Sequence, residues 1–111
     1  MIDLRKPKLI GSVKINFLIN TASYIFPPTL VEIFASENGQ NFIKAGEFKL
    51  SAPDSSSLIA QPKIISITIQ GIKRPVRFIK VIAKNQKTNP PWHYAPGQKC
   101  WLFVDEVECR K

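Results

Sequence analysis

The sequence of 111 residues predicts an all-β fold, an antiparallel β-sandwich, on three observations. It contains fifteen Ile and six Val, β-branched residues that suit a pleated surface. Several segments alternate with a period of two, whereas no segment shows a period of 3.6. Short segments containing Pro, Gly and Asn separate these runs, and short strands joined in this way are typical of a sandwich.

Six strands follow from the alternation. In the first of them Val13, Ile15 and Phe17 share one face, which we expect to lie in the core. Residues 17–19 and 101–104 are apolar on both faces, which predicts either central strands covered by loops or a surface that packs on another domain. Trp101 and Phe103 themselves are expected in the core. The predicted strands cover residues 13–19, 30–35, 42–48, 65–69, 76–81 and 101–109.

The turns are marked by residues that break strands. Asn38-Gly39 readily takes positive φ and predicts a hairpin between the second and third strands. Pro27-Pro28 leads into the second strand, and residues 52–57 are predicted to form a polar loop. Residues 85–99 are predicted to form a long loop, which contains three Pro residues and one Gly. Loops of this kind carry binding residues more often than strands do.

Size and composition predict a single domain over residues 1–111. Hydrophobic residues make up 44% of the chain and charged residues 22%, as in ordinary globular proteins. No apolar run approaches the roughly 20 residues that cross a bilayer, and no secretory signal pattern opens the sequence. The net charge is +8, from 16 Lys and Arg against 8 Asp and Glu. Because these charges are spread along the chain, they favour a solvated basic surface over a dedicated anion site.

The two cysteines predict neither a disulfide nor a zinc site. Cys100 and Cys109 stand nine residues apart, and on one strand that spacing separates them by about 30 Å. A disulfide requires Cα atoms within about 7 Å of each other. Zinc requires four ligands at close spacing, which the chain does not offer.

Three stretches of the chain carry a resemblance to a known family. The hairpin stretch resembles an "S-x-D/N-G-x-x-F" motif, the second a strand of the form "R-Y-V-R-V-x-A-x-N", and the third has an unusual spacing from Trp92 to Glu106. The stretches are residues 23–42, 77–85 and 91–107. Together they resemble the coagulation factor V/VIII type C (discoidin-like, galactose-binding-like) domains. The third is most similar to the C-terminal domain of bacterial β-N-acetylhexosaminidases, or chitobiases, of glycoside hydrolase family 20.

This resemblance extends over residues 2–107 and implies a jelly-roll sandwich. The family's domains usually begin with a further loop and strand before a "D-L-G" motif, whereas here Asp3-Leu4 stands almost at the start. We therefore expect a domain truncated at the N-terminus, with a sheet edge or a strip of core exposed. If the parent enzyme is of this type, its location is periplasmic, cell-surface or secreted.

The resemblance implies that this chain is not itself an enzyme. Catalysis in the family takes place in a separate barrel that carries a carboxylate pair. Asp105 and Glu106 are adjacent on a strand and point to opposite faces, so they cannot flank one glycosidic bond. His93 has no evident partner for nucleophilic catalysis. In some relatives the residue matching Glu106 helps to bind calcium together with the first loop, but that loop is absent here, so we predict no metal and no cofactor.

Sugar binding is the more specific of the two predictions for the loops. Sugars are held by aromatic faces and by polar groups that reach their hydroxyls. If the two loops lie at the same end of the sandwich, Tyr24 and Trp92 frame a shallow pocket. The alternative is a loop anchor, with Trp92 packed inward and His93 bonded to the backbone. The candidate ligand-binding residues are Asn20, Tyr24, Trp92, His93 and Tyr94.

The leading functional hypothesis is a carbohydrate-binding or structural accessory domain of a hexosaminidase. Its partner is a glycan, of N-acetylglucosamine or galactose type, or the parent catalytic domain. The alternative is a basic surface module that binds nucleic acid, anionic membrane or anionic polysaccharide. Nucleic acid is not the expected partner, because the Lys and Arg residues alternate with buried positions along the sequence.

Overall fold

A computed structural model describes residues 1–50, 62–70, 72 and 75–110. Over these residues the chain forms β-strands and one short 3-10 helix, and every strand pair is antiparallel. None of the helical structure in this part is long and apolar enough to cross a membrane. The predicted all-β antiparallel sandwich is confirmed. The strands are β1 (Ile2–Leu9), β2 (Ser12–Ile19), β3 (Leu30–Ser36), β4 (Ile43–Lys49), β5 (Lys63–Gln70), β6 (Pro75–Lys84) and β7 (Phe103–Arg110), with the 3-10 helix at Thr21–Ser23.

The strands form two sheets that enclose the core. A four-stranded sheet has the order β1-β6-β3-β4, and a three-stranded sheet has the order β5-β2-β7. β2 lies at the centre of the smaller sheet, and its alternate residues are completely buried, as the period-two pattern predicts. Burying each such side chain contributes about 1.5–3 kcal/mol. The core comprises Ile10, Val13, Ile15, Phe17, Ile19, Val31, Ile33, Ala35, Ile67, Ile69, Ile72, Val76 and Ile79.

The two sheets approach most closely where β4 meets β5. A Cβ atom added at Gly46 would collide with Cγ2 of Ile69, whose side chain is buried. Gly46 pairs with Ile33 across β3 and β4, next to an irregularity in the pairing. The absence of a side chain at this position therefore allows the edge of one sheet to close on the other.

The first strand was not among the predicted strands. β1 pairs with β6 through Asp3 opposite Phe78 and Lys8 opposite Val76, and the register shifts between these pairs. Arg5 lies in this bulge with φ of 72°. Because the bulge interrupts the alternation and most of the strand is exposed, the sequence carries no period-two signal here.

The last strand corrects a prediction about the core. Trp101 is 50% exposed and Phe103 is 49% exposed, so the expectation that both lie in the core was wrong. Leu102, between them, packs against the core, and successive side chains alternate, so its two neighbours point away from it. The physical reason is this alternation, because only one face of the segment meets the core and Trp101 and Phe103 lie on the other.

The remaining predictions concern the turns and the two cysteines. The hairpin between β3 and β4 is confirmed: Gly39 has φ of 78°, and the side chains of Ser36 and Asn38 accept hydrogen bonds from the turn backbone. Cys100 and Cys109 are free thiols, as the spacing predicts. The predicted polar loop at residues 52–57 lies outside the described residues.

Candidate functional site

The two loops that carry the predicted site residues meet at one end of the sandwich. Residues 20–29 follow β2, and residues 85–102 join β6 to β7; we call this end the aromatic pole. The backbone N–H of Trp101 donates to the carbonyl of Tyr24 at 2.7 Å, and the N–H of Phe26 donates to the carbonyl of Trp101 at 3.0 Å. The two loops therefore share one end of the sandwich, which is the condition that the sequence analysis set for a binding site.

His93 holds the two loops together through hydrogen bonds made from a buried position. It is only 3% exposed, and its Nε2 lies 2.7 Å from the carbonyl oxygen of Thr21. The backbone N–H of Ala95 donates to Nδ1 at 3.0 Å. Since Nδ1 accepts this bond, the ring proton sits on Nε2 and is donated to Thr21. His93 is thus the loop anchor of the alternative interpretation, bonded to the backbone. It lies beneath the exposed surface of the aromatic pole.

Aromatic rings fill the space around this anchor. The ring of Tyr24 lies 5.4 Å from that of His93 in an edge-to-face arrangement and 6.1 Å from that of Tyr94. Trp92, partly buried, lies 6.2 Å from the buried ring of Phe26. These separations fall within the range in which aromatic pairs attract each other. Tyr24, Trp92, His93 and Tyr94, predicted from the sequence, form one cluster, which Phe26 completes.

Tyr94 is the exposed member of the cluster. It is 66% exposed, and one face of its ring stacks on His93 at a centroid distance of 4.4 Å and an angle of 29°. Its hydroxyl donates a hydrogen bond to the carbonyl of Ala22. Desolvation of the hydroxyl, with a smaller effect of Tyr24, raises the pKa of Tyr94, so the phenol stays neutral. The ring is held at its back face and its tip, and its other face is open to solvent.

Trp101 is a pole residue that the sequence prediction placed elsewhere. Its side chain is half exposed, and Nζ of Lys99 lies 4.9 Å from the ring centroid. That distance fits a cation–π contact on one face of the indole. The signal that could have revealed it is the alternation of Trp101 with Cys100 and Leu102, which face the core.

Amide side chains lie just beneath this surface. Asn89 is 3% exposed, and its Nδ2 donates to the carbonyl of Ala95 at 2.9 Å. Its backbone also bonds to Gln98 and Gly97, so it organises the turn that presents Tyr94. Within residues 1–50, 62–70, 72 and 75–110, three buried amide oxygens have no hydrogen-bond partner. They belong to Asn20, Gln86 and Asn89, all at the aromatic pole.

The ionisable groups near the pole offer little chemistry. Cys100 is completely buried, burial raises the pKa of its thiol, and its Sγ lies 3.7 Å from Oδ1 of Asn85. A protonated thiol is a poor nucleophile. Over the part of the chain that the structure describes, no three His, Cys, Asp or Glu residues come together as metal ligands. The pole can therefore present an aromatic face and hydrogen-bonding groups.

A separate depression lies at the other end of the sandwich. Its volume is about 520 Å³, and it is open to solvent beside the β3–β4 hairpin. The side chains of Ser36 and Asn38, which line it, are already engaged in hydrogen bonds of the turn. Because those groups are used, the aromatic pole is the better candidate for a binding site.

No family model matches this chain, and a comparison with curated proteins finds no matching relative. The resemblance to discoidin-like domains therefore stands on the three motif stretches given above.

Proposed function

We propose that this chain is a non-catalytic carbohydrate-binding accessory domain that receives a sugar ring on the open face of Tyr94. The observation that carries the proposal is the fixed, exposed ring of Tyr94, stacked on His93 and bonded through its hydroxyl to Ala22. Through the motif resemblance, the sugars are those of N-acetylglucosamine-containing glycans, the substrates of β-N-acetylhexosaminidases. The domain would hold such glycans near a catalytic domain.

The physical support is preorganisation. A sugar packs its C–H groups against an aromatic face, and the interaction is strongest when the ring need not be immobilised on binding. The stacking on His93 and the hydroxyl bond to Ala22 have already removed that freedom from Tyr94. Trp101 and the exposed Ser23 border the same end of the sandwich and offer further apolar and polar contacts.

The non-catalytic part of the proposal is supported by the state of the single histidine. Both ring nitrogens of His93 are occupied by backbone groups, of Thr21 and Ala95, and the ring is buried. A general base must reach the proton that it removes from a substrate. His93 in this arrangement orients a loop and does not face solvent.

A second surface supports a structural accessory role, in which the domain packs against a neighbouring domain. Leu18 pairs with Ile64 on one side and with Phe103 on the other, across the outer face of the three-stranded sheet. Ile64 is 47% exposed and Phe103 is 49% exposed, so this row is open. Contiguous apolar surface of this kind suits packing against a neighbouring domain. A glycan-binding pole and a packing face are compatible, because they lie on different parts of the sandwich.

The experiment is an NMR titration of the 15N-labelled chain with N-acetylglucosamine, chito-oligosaccharides and galactose. We expect amide shifts confined to residues 20–25 and 92–101. Tyr94→Ala should lower the affinity about tenfold or more, because an aromatic contact contributes on the order of 1 kcal/mol beyond the area it buries. Tyr94→Phe keeps the ring and should retain most of the binding.

Phe48→Ala is the matched control, because Phe48 is an exposed aromatic residue on β4, an edge strand of the four-stranded sheet, and does not belong to the aromatic pole. It should leave the sugar affinity unchanged. An absence of shifts at the pole with millimolar chito-oligosaccharide would end the carbohydrate proposal. Equal losses in Tyr94→Ala and Phe48→Ala would end it as well, since the loss would then report general destabilisation.

The second candidate function, a basic module for anionic polymers, is favoured by an asymmetry of charge. The strands of the four-stranded sheet carry eight Lys and Arg against three acidic residues, whereas those of the three-stranded sheet carry three of each. Alternation along β6 and β4 collects Lys80, Lys84 and Lys49 on one outer face instead of dispersing them. Binding of a single-stranded oligonucleotide or heparin should then fall steeply between about 50 and 200 mM salt, whereas binding of a neutral sugar should not.

A further inference from the structure

The edge of the three-stranded sheet formed by β7 is open. Within the described residues β7 pairs only with β2, so the backbone N–H and C=O groups on its other side point away from the sheet. Residues 103–106, the first half of the strand, are all exposed. An edge of this kind is a template for an additional strand.

The edges of the four-stranded sheet carry features that prevent such pairing. β1 contains Pro7 and a bulge at which Arg5 adopts positive φ. β4 places Lys44 and Lys49 along its length and is interrupted by a register shift. Proline, lysine and bulges are the devices that protect sheet edges in native proteins. β7, like β4, has one register shift, opposite Asn16 and Phe17, but it contains neither Pro nor Lys, and that composition distinguishes it from β1 and β4.

The two faces of β7 differ in chemistry. On the inner face, Val104 lies opposite Phe17 and Val107 lies opposite Ile15. Val104 is 49% exposed although it faces the core side, because β7 is at the margin of the sandwich. On the outer face, Glu106 lies opposite Asn16. Among the described residues, no ion pair reaches Glu106 or Asp105.

We propose that β7 is the docking site for an extended basic peptide segment in which apolar and cationic residues alternate, added as a fourth strand to the order β5-β2-β7. The apolar side chains of this segment would cover Val104 and Val107 on the inner face. On the outer face one cationic side chain would meet the unpaired Glu106, and the next would share Glu108 with Arg110, whose guanidinium lies 2.9 Å from that carboxylate. Both requirements follow from cross-strand pairing, since neighbours in a sheet share a face.

Charge disfavours a second copy of this chain as the occupant. Antiparallel pairing of β7 with its own copy about the centre of the strand places Asp105 opposite Glu108 twice. Like charges directly opposite each other destabilise a sheet. β7 carries three acidic residues against one Arg, so a second β7 offers no surplus of positive charge to meet them.

The test uses the full chain and two blocked eight-residue peptides, one alternating Lys and Val and the other alternating Glu and Val. An eight-residue strand matches the length of β7. The Lys peptide should shift the amide signals of residues 103–110 and slow their hydrogen exchange, while residues 20–25 and 92–101 stay unchanged. The Glu peptide should bind at least about tenfold more weakly, because it places like charges opposite Glu106 and Glu108.

Charge reversal supplies the second arm. Glu106→Lys should weaken binding of the Lys peptide by about five- to tenfold and strengthen binding of the Glu peptide, because one attractive surface pair becomes repulsive. Glu37→Lys is the matched control, since Glu37 is also exposed but lies in the β3–β4 hairpin. Both variants should fold like the wild type.

Several results would overturn the proposal. Equal binding of the two peptides would overturn it, and so would a failure of both to bind at millimolar concentration. Equal effects of Glu106→Lys and Glu37→Lys on peptide binding would overturn it as well. A free chain that sediments as a dimer with the amides of β7 already protected from exchange would assign this edge to a second copy. Because Tyr94 is unaltered in both variants, failure here leaves the carbohydrate proposal standing.

Discussion

The imidazole of His93 and the carbonyl of Thr21, 72 residues apart in the chain, are joined by a hydrogen bond of 2.7 Å. This bond joins the loop after β2 to the loop before β7. It also holds in place the imidazole ring on which Tyr94 stacks. The carbonyl of Thr21 also accepts the N–H of Tyr24, which sits in the left-handed region with φ of 68°. The geometry of the aromatic pole thus depends on a few buried polar groups.

His93→Ala is expected to loosen the pole. The substitution removes the ring that contacts Tyr24 and Tyr94, breaks the bond to the carbonyl of Thr21 and leaves the N–H of Ala95 without its acceptor, at a cost of about 1–3 kcal/mol. Chemical denaturation would measure this loss, and hydrogen exchange at Ala95 should accelerate. Gln98→Ala, an exposed position in the same loop, should change neither quantity. Unaltered exchange at Ala95 in His93→Ala would contradict the anchoring role.

Gly46→Ala should destabilise the sandwich by separating its sheets. The added methyl group would overlap Cγ2 of Ile69, and overpacking of this kind costs typically about 1–3 kcal/mol. Thermal unfolding of four proteins, the wild type, Gly46→Ala, Ile69→Ala and the double variant, would measure it. In the Ile69→Ala background the effect of Gly46→Ala should largely disappear, because the colliding atom is gone. A cost that is the same in both backgrounds would place its origin in the backbone of Gly46.

The ion pair between Asp3 and Arg77 should make the docking of β1 sensitive to acid. The hydrogen bond from Arg77, followed by that from the backbone of Arg5, holds the pKa of Asp3 below its usual value. A carboxylate with a lowered folded-state pKa stabilises the fold above its unfolded pKa, and this contribution is lost as pH falls through the folded value. The melting temperature of the wild type should therefore exceed that of Asp3→Asn by a constant amount above about pH 5.

That difference between the two proteins should shrink below about pH 4, close to the pKa of an unperturbed aspartate. Asp105→Asn is the control, because Asp105 has no ion pair within the described residues. Its melting temperature should follow that of the wild type over the same range. A difference for Asp3→Asn that persists unchanged to pH 2 would assign it to a cause other than the ionised carboxylate of Asp3.

The two thiols should react slowly in the native protein. Burial raises the pKa of both Cys100 and Cys109, so little thiolate exists at pH 7.5 or below. Labelling with 5,5′-dithiobis(2-nitrobenzoic acid) should be slow for the folded chain and fast in denaturant. Cys100, which is completely buried, should react more slowly than Cys109, which is partly exposed. A Cys109→Ser variant isolates Cys100, and rapid labelling of that variant would contradict its burial.

Local residue patterns were enough to predict several parts of this protein. The alternation of Val13, Ile15 and Phe17 identified β2 and its buried face, because a strand has a side-chain period of two. Asn38-Gly39 identified the β3–β4 hairpin, because its backbone must adopt positive φ. The nine-residue separation of Cys100 and Cys109 was enough to predict that both thiols stay free.

Features that depend on the neighbours of each strand became known only from the folded chain. Alternation puts Trp101 and Phe103 on the face opposite Leu102, but because both faces of this segment are apolar, only its packing shows which face meets the core. β1 became visible only through its pairing with β6, since its bulge interrupts the alternation. The contact of His93 with Thr21 required the two loops to meet. Local residue patterns fix which backbone states are favourable, whereas burial and long-range hydrogen bonds exist only once distant segments are packed together.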